Sequence, residues 1–362
     1  MSYMEIKYAD AQEFCRDVFD TYGFTRQESE LITDVLLRAD LWGFESHGIQ
    51  RLVRYNSEIQ WGMVTIDAKP ETVFETPVSA VIDAKDAMGQ VVSVYGMNMA
   101  IEKAQKSGVG MVAVRNSNHY GIAGYYTEMA AKKDMMGICM TNTEAIGVPT
   151  FGKKAMLGTN PISLGFPAEP FNFVYDAATT VVPRGKVEVY SKNETPLPDG
   201  WAVDTRGYST PDAADVLKNI IGKLGGGIAP LGGTSELMGG HKGYGLGIIV
   251  DLFTGILSSG ETSNYLNTRP GRSDIANFFM AVDYGIFGDK AGIKSRFSKF
   301  LRELRESPKA DGQDRIYTHG EKEAEMMAGR INGSFPVNEK TWQEMQNIAA
   351  QQKLDFSNYF KK

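Results

Sequence analysis

Apolar residues near the N-terminus recur every three or four positions, which is the spacing of one face of a helix. The clearest stripe comprises Leu31, Ile32, Val35, Leu36 and Ala39. Two pairs, Asp10 with Glu13 and Thr25 with Glu28, have the spacing of the capping boxes that begin helices. The pattern therefore predicts a helical N-terminal segment.

From residue 79 onward, short apolar runs typical of strands alternate with helical patterns. The predicted strands occupy residues 79–83, 111–114, 136–141, 162–166, 171–176, 186–190 and 278–283. The predicted helices occupy residues 90–106, 121–132, 242–258 and 342–351, the last with Thr341 and Glu344 as its capping box. This alternation predicts an α/β domain, with a polar, linker-like stretch at residues 307–315.

Composition narrows the class of protein. Hydrophobic residues make up 42% and charged residues 23% of the 362 positions, as in an ordinary soluble globular protein with a large core. The formal net charge of −6 gives no support for nucleic-acid binding. Cys15 and Cys139 form no CxxC motif, which fits a reducing compartment. No secretory signal is visible, and the apolar stretch at residues 246–257 is too short to span a bilayer. We therefore expect a cytosolic protein that binds neither nucleic acid nor membrane.

Residues 46–55 concentrate side chains with useful chemistry. We expect a helix that begins at Ser46, a good N-cap residue, and runs to residue 62. His47, Arg51 and Tyr55 are spaced i, i+4, i+8 and would line the face opposite its apolar residues. Such a row brings together a titratable ring, a fixed cation and a phenol. The alternative is a solvated polar face.

The usual signatures of nucleotide and metal sites do not occur in the sequence. No Gly-Lys pair is followed by Ser or Thr, so there is no Walker A loop. Residues 108–113 match GxGxxA, but their glycines precede a predicted strand instead of joining a strand to a helix, so a Rossmann loop is rejected. The four histidines are isolated in sequence and predict no metal site.

Several loops of small residues nevertheless carry polar groups where open α/β sheets bind ligands. Residues 116–121, which include His119, follow a predicted strand; the alternative for His119 is a structural hydrogen bond. Residues 158–161 also fit a plain turn. Residues 239–245 begin a predicted helix with glycines and Lys242, which suits a phosphate group, or they form a tight glycine-rich turn.

Together these segments resemble the malate/L-lactate dehydrogenase family, which lacks a Rossmann fold. The matching segments are Ser46-His47-Gly48 with Arg51 and Tyr55, residues 116–126, Gly158-Thr159-Asn160-Pro161, Arg184-Gly185-Lys186 and residues 240–246. They occur in the family's order, and the resemblance extends from about residue 8 to residue 355. The chain departs from the family at Ala177 and Thr180, where Met and Ser are usual, at Pro183, where Ala is usual, and at His319, where Pro is usual.

The resemblance implies the family's non-Rossmann NAD(P)-binding α/β fold, with an N-terminal helical segment at residues 1–75. Residues 76–306 would form the core that binds cofactor and substrate, and residues 307–362 would pack back on it. The implied activity is hydride transfer between NAD or NADP, with NAD as first choice, and a 2-hydroxy or 2-keto acid. The motif around Lys242 favours malate and oxaloacetate. The alternatives are L-lactate, ureidoglycolate or a sugar-derived keto acid as substrate, and a non-catalytic small-molecule binder on the same fold.

The resemblance also assigns roles to residues. His47 is expected to be the general acid and base, Arg51 to bind the substrate carboxylate, and Tyr55 to support Arg51. His119 and Asp176 complete the expected catalytic set. The expected cofactor-binding residues are Ser46, His119, Thr159, Asn160, Pro161, Asp176, Ala177, Ala178, Thr179, Arg184, His241, Lys242, Gly243, Gly320 and Glu321.

A homodimer is the expected assembly, because members of the resembled family are dimers. The predicted helix at residues 242–258 gives weak independent support, since its apolar residues cover more than one face and a helix of that kind is buried on several sides. Those residues are Leu246, Ile249, Val250, Leu252, Phe253, Ile256 and Leu257.

Overall fold

The computed structural model describes residues 3–360 and shows a mixed α/β fold built on a seven-stranded sheet. The helices are α1 (Tyr8–Thr21), α2 (Arg26–Leu41), α3 (Leu52–Gln60), α4 (Gly89–Ser107), α5 (Ala123–Lys132), α6 (Arg184–Lys192), α7 (Ala213–Gly222), α8 (Gly240–Asp251), α9 (Lys290–Glu306), α10 (Glu321–Arg330) and α11 (Glu339–Gln351). The strands are β1 (Tyr3–Lys7), β2 (Glu71–Glu75), β3 (Ser79–Asp83), β4 (Val109–Ser117), β5 (Met136–Thr141), β6 (Ile162–Phe166), β7 (Phe173–Ala177), β8 (Ala202–Val203), β9 (Gly227–Ile228), β10 (Ile275–Val282) and β11 (Ser334–Asn338).

The central sheet has the strand order β2-β3-β4-β10-β5-β6-β7. Only β3 and β4 run parallel, and every other neighbouring pair is antiparallel. A parallel pair requires a crossover connection, and α4 provides it between β3 and β4. The predicted α/β architecture is therefore confirmed, with a sheet that is mostly antiparallel.

Helices cover both faces of this sheet. On one face α4 and α5 bury a core that includes Val92, Tyr126 and Phe279. On the other face α8 and the π-helical segment that follows it, Leu252–Ile256, lie against the middle strands, with Val250 and Phe278 in the shared core. The loops at the strand ends are thereby fixed between packed layers, and the site residues lie on several of those loops.

The two ends of the chain share one core. Strand β1 pairs antiparallel with β11, and α11 packs against α3. The core between them includes Phe14, Phe19, Leu36, Phe335 and Ile348. The N-terminal helices are therefore anchored from both ends of the sequence, and α3 carries its polar residues on a rigid support.

The helix starts show where local capping signals were sufficient. The Thr25–Glu28 capping box is present at the start of α2, as predicted. The predicted box at Asp10 is wrong, because α1 begins at Tyr8, directly after β1 pairs with β11. The predicted box at Thr341 is also wrong: Asn338, the last residue of β11, caps α11 by accepting from the Thr341 N–H.

Residues 186–190 form part of helix α6 instead of the predicted strand. Tertiary packing explains the difference, since Val187 is fully buried in a small separate core formed with α7, β8 and β9. The sequence analysis did not predict helices α7, α9 and α10 or strands β1, β2, β8, β9 and β11. Within residues 3–360, no helix combines the length and the apolar character needed to cross a membrane.

Candidate active site

The Ser46-His47-Gly48 segment forms tight turns instead of the start of a regular helix. Residues 45–47 and 49–51 are separate 3₁₀ turns, and α3 begins only at Leu52. The buried Asp40 carboxylate accepts a hydrogen bond from the Ile49 N–H at 2.7 Å. A Cβ atom at Gly48 would lie 2.1 Å from the Asp40 Oδ1 atom, so position 48 has no room for a side chain. Asp40 therefore determines the path of the chain beside His47.

This geometry corrects the predicted helix that was to begin at Ser46. Ser46 makes no capping hydrogen bond, and its Oγ lies 2.9 Å from His47 Nδ1. Tyr55 is fully buried, so a solvated polar face is wrong for this segment. The row of His47, Arg51 and Tyr55 nevertheless remains close in space, because the turns place the first two beside the start of α3.

His119 lies beside His47 and Tyr55, in a loop that follows a strand of the central sheet. It lies in the loop between β4 and α5, and α4 begins directly against that loop. A Cβ atom at Gly89 would lie 2.3 Å from the carbonyl oxygens of Asn118 and His119, so a glycine is needed for this close approach. The Asn118 side-chain amide donates to the carbonyl oxygens of Met63, Asp86 and Ala87. The loop that carries His119 is therefore held firmly.

The two histidines form a pair. The ring centroids of His47 and His119 lie 5.7 Å apart, with 26° between the ring planes. His119 Nδ1 lies 2.8 Å from the Tyr55 hydroxyl and accepts a longer hydrogen bond, 3.4 Å, from the Gly121 N–H. Because the backbone N–H can only donate, Nδ1 is an acceptor and the ring proton of neutral His119 is on Nε2.

Burial and neighbouring cations keep both rings uncharged. Burial, followed by the positive charges of Arg51 and Arg54, lowers the pKa of His47 to about 4. Burial, followed by Arg54, His47 and Arg51, lowers the pKa of His119 well below its usual range. Burial raises the pKa of Tyr55, so its hydroxyl stays protonated and donates to His119. At neutral pH the site therefore holds two neutral imidazoles next to fixed positive charge.

Arg51 is positioned to bind an anion. Its Nε donates to the Ser46 carbonyl at 2.6 Å, and its terminal guanidinium nitrogens have no hydrogen-bond partner within residues 3–360. Burial, followed by the charge of Arg54, lowers the pKa of Arg51. The charges of Glu188 and Arg184, on α6, also act on Arg51, so α6 lies near this site. A partly dehydrated cation with free donors suits a carboxylate.

Asp176 lies at the end of β7, beside the beginning of α5. Its Oδ2 accepts from the Gly124 N–H at 2.6 Å. Desolvation raises the pKa of Asp176 to about 6, and the Gly124 N–H opposes that rise. In the described part of the chain Asp176 makes no hydrogen bond or ion pair with His47 or His119, so its expected catalytic role stays a prediction.

Backbone hydrogen bonds bring three expected cofactor loops together. The Thr179 N–H donates to the Thr159 carbonyl at 2.8 Å, and the Leu231 N–H donates to the Thr179 carbonyl at 2.8 Å. Leu231 in turn lies directly against Gly243 in the first turn of α8. A small cavity at this junction is lined in part by Gly158, Thr179 and Gly243. Pro161 continues the first loop into β6, and Ala177 and Ala178 lead from β7 to Thr179.

Two of the expected cofactor residues have side chains that are fully engaged within the protein. Asn160 is completely buried; it donates to the Asp251 carboxylate at 2.9 Å and accepts from the Thr143 N–H at 3.1 Å. Glu321 is buried as well and accepts from the Thr318 N–H and from Arg315. Any contact of these two positions with a cofactor would therefore come from the backbone. Gly320 lies against the backbone at the start of β7.

The start of α8 fits the pyrophosphate of a dinucleotide. His241 and Lys242 are exposed in its first turn, and within residues 3–360 their side chains have no hydrogen-bond or ion-pair partner. Gly239, in the left-handed region at φ 85°, and Gly240 place no side chains at this end of the helix. The Gly240 and Lys242 N–H groups already donate to the Ser235 and Gly239 carbonyls. This helix end therefore offers phosphate groups its positive dipole end and the point charge of Lys242.

Comparison with known proteins decides the family. The profile described as malate/L-lactate dehydrogenase matches residues 6–346. The chain belongs to the malate/L-lactate dehydrogenase family. A malate dehydrogenase of Pyrococcus abyssi is 41% identical over 349 residues, covering 96% of this chain and 95% of the relative. An L-sulfolactate dehydrogenase of Methanocaldococcus jannaschii is 33% identical and covers 98% of this chain and 99% of the relative.

The fold of this family member agrees with solved structures. The crystal structure of malate dehydrogenase from Entamoeba histolytica superposes with a TM-score of 0.94 at 35% identity, covering 98% of this chain and 99% of that chain. The resemblance, the α/β fold and the class of enzyme expected from the sequence are thereby confirmed: the protein is an oxidoreductase of the hydroxy acid dehydrogenase type.

Some residues that shape the site go beyond the sequence prediction. They are Asp40, Gln90, Arg54 and Asp251. Arg54 had a visible signal, since it follows Arg51 by one helical turn. Asp251 also had a visible signal, because it interrupts an apolar helical stretch in the sequence. In the structure Asp251 is buried at the centre of a polar network. Asp40 and Gln90 act through contacts with residues distant in sequence, so no sequence signal pointed to them.

Proposed function

We propose that the protein is an NAD(P)-dependent malate dehydrogenase that interconverts malate and oxaloacetate. The observation that carries the proposal is the stacked pair of His47 and His119 with Arg51 beside it. The pair supplies a proton carrier and a hydrogen-bond donor for one substrate oxygen, and Arg51 supplies a partner for a carboxylate. The 41% identical relative named malate dehydrogenase supports the choice of substrate.

His47 is the proposed proton carrier. Its ring is neutral at neutral pH because its pKa is about 4, so it can accept the proton of the malate hydroxyl. In the opposite direction the protonated ring returns that proton to the substrate oxygen. The negative charge of bound substrate offsets Arg51 and Arg54, which raises the proton affinity of His47 when it is needed.

His119 is the proposed hydrogen-bond donor to the same oxygen. Its Nδ1 accepts from Tyr55 and Gly121, which leaves the proton on Nε2 to donate toward the substrate. A neutral ring with a very low pKa stabilises developing negative charge without itself carrying the proton away. Proton transfer and polarisation are thus divided between the two rings.

The substrate carboxylate next to the reacting carbon is proposed to bind Arg51. The Ser46 carbonyl fixes the Arg51 Nε, so the terminal nitrogens are presented in one orientation. A guanidinium with two free parallel donors matches the two oxygens of a carboxylate. This contact would orient the reacting carbon between the two imidazoles.

The proposed cofactor is NAD(P)(H), with NAD(H) as first choice. When bound, it supplies the hydride acceptor or donor at its nicotinamide ring. His241 and Lys242 would bind its pyrophosphate at the start of α8. The loops at residues 158–161 and 176–179, together with Arg184 and Gly320, are the other proposed contacts.

Absorbance at 340 nm tests the proposal directly. Purified protein mixed with NADH and oxaloacetate should consume NADH with Michaelis–Menten kinetics, and the same assay with NADPH gives the cofactor preference. Malate with the oxidised cofactor should give the reverse signal. An absence of turnover with oxaloacetate, pyruvate and other 2-keto acids under either cofactor would contradict the proposal.

A homodimer is the proposed assembly. The residues of α8 and its extension were predicted to be buried on several sides, yet in the single chain many of them are half-exposed. They are Ile248, Ile249, Leu252, Ile256 and Leu257, at 41% to 55% exposure. A contiguous apolar face of this kind is typical of a surface that another protein covers.

The cytosol is the proposed location. Cys15 and Cys139 are both free thiols and both buried, as is typical of a protein from a reducing compartment. Fractionation of the source cells, with the enzyme assay as readout, tests this proposal.

A further inference from the structure

Asp251, the last residue of α8, has a buried carboxylate that the mechanism above does not use. Its Oδ1 accepts from the Ser263 N–H at 2.9 Å, from the Ser263 hydroxyl at 3.1 Å and from the Asn142 amide at 3.3 Å. Its Oδ2 accepts from the Asn160 amide at 2.9 Å. Within residues 3–360 no basic side chain pairs with it. Buried carboxylates are usually paired with a cation, so the acid at this position depends on the four neutral donors that surround it.

Asn160 connects this carboxylate to the loop at residues 158–161. It is completely buried, and besides Asp251 its amide donates to the Gly247 carbonyl at 3.1 Å. Its Oδ1 accepts from the Thr143 N–H at 3.1 Å and from the Ser263 hydroxyl at 3.0 Å. An asparagine side chain has two donor and two acceptor positions, and all four are used here. Asn160 therefore affects a ligand only through the backbone of its loop.

The backbone of this loop has an uncommon conformation. Asn160 has φ 38°, in the left-handed region that residues other than glycine rarely adopt. A Cβ atom at Gly158 would lie 2.2 Å from Thr143 Oγ1 and 2.5 Å from Asn160 Oδ1. The loop is therefore held in shape by close contacts with its neighbours and by the hydrogen bonds of the Asn160 side chain.

The position of this loop also determines that of the next. The Thr159 carbonyl accepts from the Thr179 N–H at 2.8 Å and from the Thr179 hydroxyl at 3.1 Å. A displacement of residues 158–161 therefore moves the loop at residues 176–179 as well. Gly158 and Thr179 line the same small cavity as Gly243, in the first turn of α8.

Helix α8 connects the contact with Asn160 to the proposed pyrophosphate site. Gly247 and Asp251, one turn apart, both accept from the Asn160 amide, and Lys242 lies at the other end of the same helix. The helix rises by about 14 Å between Lys242 and Asp251. Since a regular helix keeps this length, the contact at its end sets the distance between the loop and the helix start.

We propose that Asp251 is a positioning residue for the dinucleotide. Through Asn160 it fixes the loops at residues 158–161 and 176–179 relative to the start of α8, so that one cofactor molecule contacts all three. This assignment rests on the proposed function, since it requires a dinucleotide to bind there. Asp251 acts on cofactor affinity, and the chemistry of the substrate stays with His47 and His119.

The test measures the Kd for NADH by fluorescence titration, and the KM values for NADH and oxaloacetate, in the wild type and in Asp251→Asn. NADPH replaces NADH if the wild type prefers it. The new amide keeps one oxygen for Ser263 and Asn142, but it turns an N–H group toward the Asn160 amide. Kd and KM for NADH should rise by roughly tenfold, as expected when a buried amide loses a charged acceptor and the loops become ordered only on binding.

The KM for oxaloacetate, measured at saturating cofactor, should change by less than about threefold in Asp251→Asn. The reason is that Arg51 and the histidine pair lie on other elements, the turns before α3 and the loop after β4. A loss of structure throughout the protein would instead change both KM values, so the difference between them reports the positioning role.

The double variant Asp251→Asn/Asn160→Asp exchanges donor and acceptor. The amide at position 251 then donates to the carboxylate at position 160, which restores the link between α8 and the loop. Donation to the Gly247 carbonyl is lost, so recovery should be partial, with Kd for NADH at least about threefold lower than in Asp251→Asn alone. Ser263→Ala removes a hydroxyl that contacts both side chains, should raise Kd by at least about threefold, and serves if Asp251→Asn does not fold.

Lys103→Met is the matched control for the loss of a buried charged group. Lys103 lies near the end of α4, and its Nζ donates to Glu75 Oε1 at 2.7 Å and to the Thr76 carbonyl at 2.8 Å. These contacts are at the β2 edge of the sheet, whereas residues 158–161 lead into β6, close to the opposite edge. Lys103→Met should be less stable than the wild type and should keep its Kd for NADH.

An unchanged Kd for NADH in Asp251→Asn would overturn the proposal. So would a double variant that recovers no affinity, because Asp251 would then not act through Asn160, and so would an equal rise of Kd in Lys103→Met. A wild-type protein that binds neither NADH nor NADPH would instead contradict the proposed function itself, so the two failures are distinguishable.

Discussion

The carboxylate of Asp40 occupies the space that a side chain at position 48 would need. A Cβ atom at Gly48 would lie 2.1 Å from Asp40 Oδ1, while the other oxygen accepts from the Ile49 N–H. Asp40 itself is buried, and burial raises its pKa well above the usual range. The glycine after His47 is therefore required by its neighbour in α2, and the turn that presents His47 depends on that contact.

Replacing Gly48 by alanine should damage both the site and the fold. The added methyl group must displace the Asp40 carboxylate or the turn, because the buried Asp40 carboxyl group occupies its space and is held by the Ile49 N–H. We expect a loss of about 1–3 kcal/mol in the free energy of unfolding, as for overpacking, and a fall in kcat/KM of at least about tenfold. Thermal unfolding and steady-state kinetics with oxaloacetate measure the two effects.

Gly329→Ala is the matched control for that substitution. Gly329 is in α10 and has a negative φ, and among residues 3–360 no atom outside its own helix lies within 4 Å of the added Cβ. Alanine there should be neutral or stabilising by about 0.5–1 kcal/mol, because it restricts the unfolded chain in a helical position. A Gly48→Ala variant as stable and active as Gly329→Ala would mean that the contact with Asp40 is not restrictive.

The pH dependence of malate oxidation should reflect the low pKa of His47. Only the neutral ring can accept the substrate proton, so kcat/KM should be level near neutral pH and fall as pH drops through about 4. Burial is the main cause, with Arg51 and Arg54 adding to it. Because substrate offsets those charges, the pKa seen in kcat should be higher than that in kcat/KM. A fall in kcat/KM centred near 6.5 would indicate an unperturbed histidine and contradict this expectation.

The same proton role predicts a large effect of His47→Asn. General acid–base groups contribute about 10²–10⁴-fold, so kcat should fall by at least about 10²-fold while the protein stays folded. His319→Asn is the comparison variant and should lose much less kcat. His319 is exposed, and it contacts Phe173 and Tyr175 instead of the histidine pair. A loss of less than about tenfold for His47→Asn would move the proton role to another residue, with His119 as the first candidate.

Tyr55→Phe should act through His119. The variant removes the O–H that donates to His119 Nδ1 at 2.8 Å and leaves only the long hydrogen bond from Gly121. The ring is then held less firmly in its orientation, so we expect kcat to fall by about tenfold with a smaller change in KM. Both side-chain amide atoms of the buried Gln90 have no hydrogen-bond partner in the described chain, although Gln90 lies close enough to lower the pKa of Tyr55.

Tyr284→Phe is the control for the loss of a buried hydroxyl. Tyr284 is buried and donates to Asp134, and it follows the end of β10 that pairs with the start of β4, whereas His119 follows the end of β4. Both variants should lose about 0.5–1.5 kcal/mol of stability, but only Tyr55→Phe should lose turnover. Nitrogen NMR of His119 gives a direct readout, because loss of the Tyr55 hydroxyl should shift the Nδ1 resonance while the Gly121 N–H keeps Nδ1 an acceptor.

The parts of the fold that the sequence predicts well are those with strong local signals. The run of α4 to Gly108 and the capping box at Thr25 were visible because a left-handed glycine and reciprocal hydrogen bonds end or begin helices locally. The prediction of a strand at residues 186–190 failed, because the alternating apolar pattern there fits a strand while packing of Val187 against α7 selects a helix.

The residues of the candidate site likewise include some that local motifs predict and others that depend on tertiary packing. His47, Arg51 and His119 could be found from their motifs, and the structure brings the histidines together. Arg54 was visible in sequence, but its relation to His119 depends on how α3 packs against the loop after β4. Asp40, which determines the turn at Gly48, comes from an earlier helix, and no local pattern links the two positions.

The apolar face of α8 and its extension should be the dimer contact. Leu252, Ile256 and Leu257 are each about half-exposed in the single chain, which is unfavourable for aliphatic side chains in a row. Sedimentation equilibrium at micromolar concentration should therefore give twice the chain mass of 39.8 kDa. Ile256→Glu places a charge in the middle of this face and should shift the protein toward the monomer, because an unpaired charge is costly to bury.

Ile221→Glu separates this specific contact from a general effect of surface charge. Ile221 is 67% exposed at the end of α7 and lies outside the α8 face. We expect Ile221→Glu to keep the wild-type mass and Ile256→Glu to lower it, with both variants retaining a cooperative unfolding transition. If the wild type sediments at the mass of one chain and is fully active, the exposed face has another role. If both variants stay dimeric, the dimer uses a different surface, and the half-exposed residues of α8 do not form its centre.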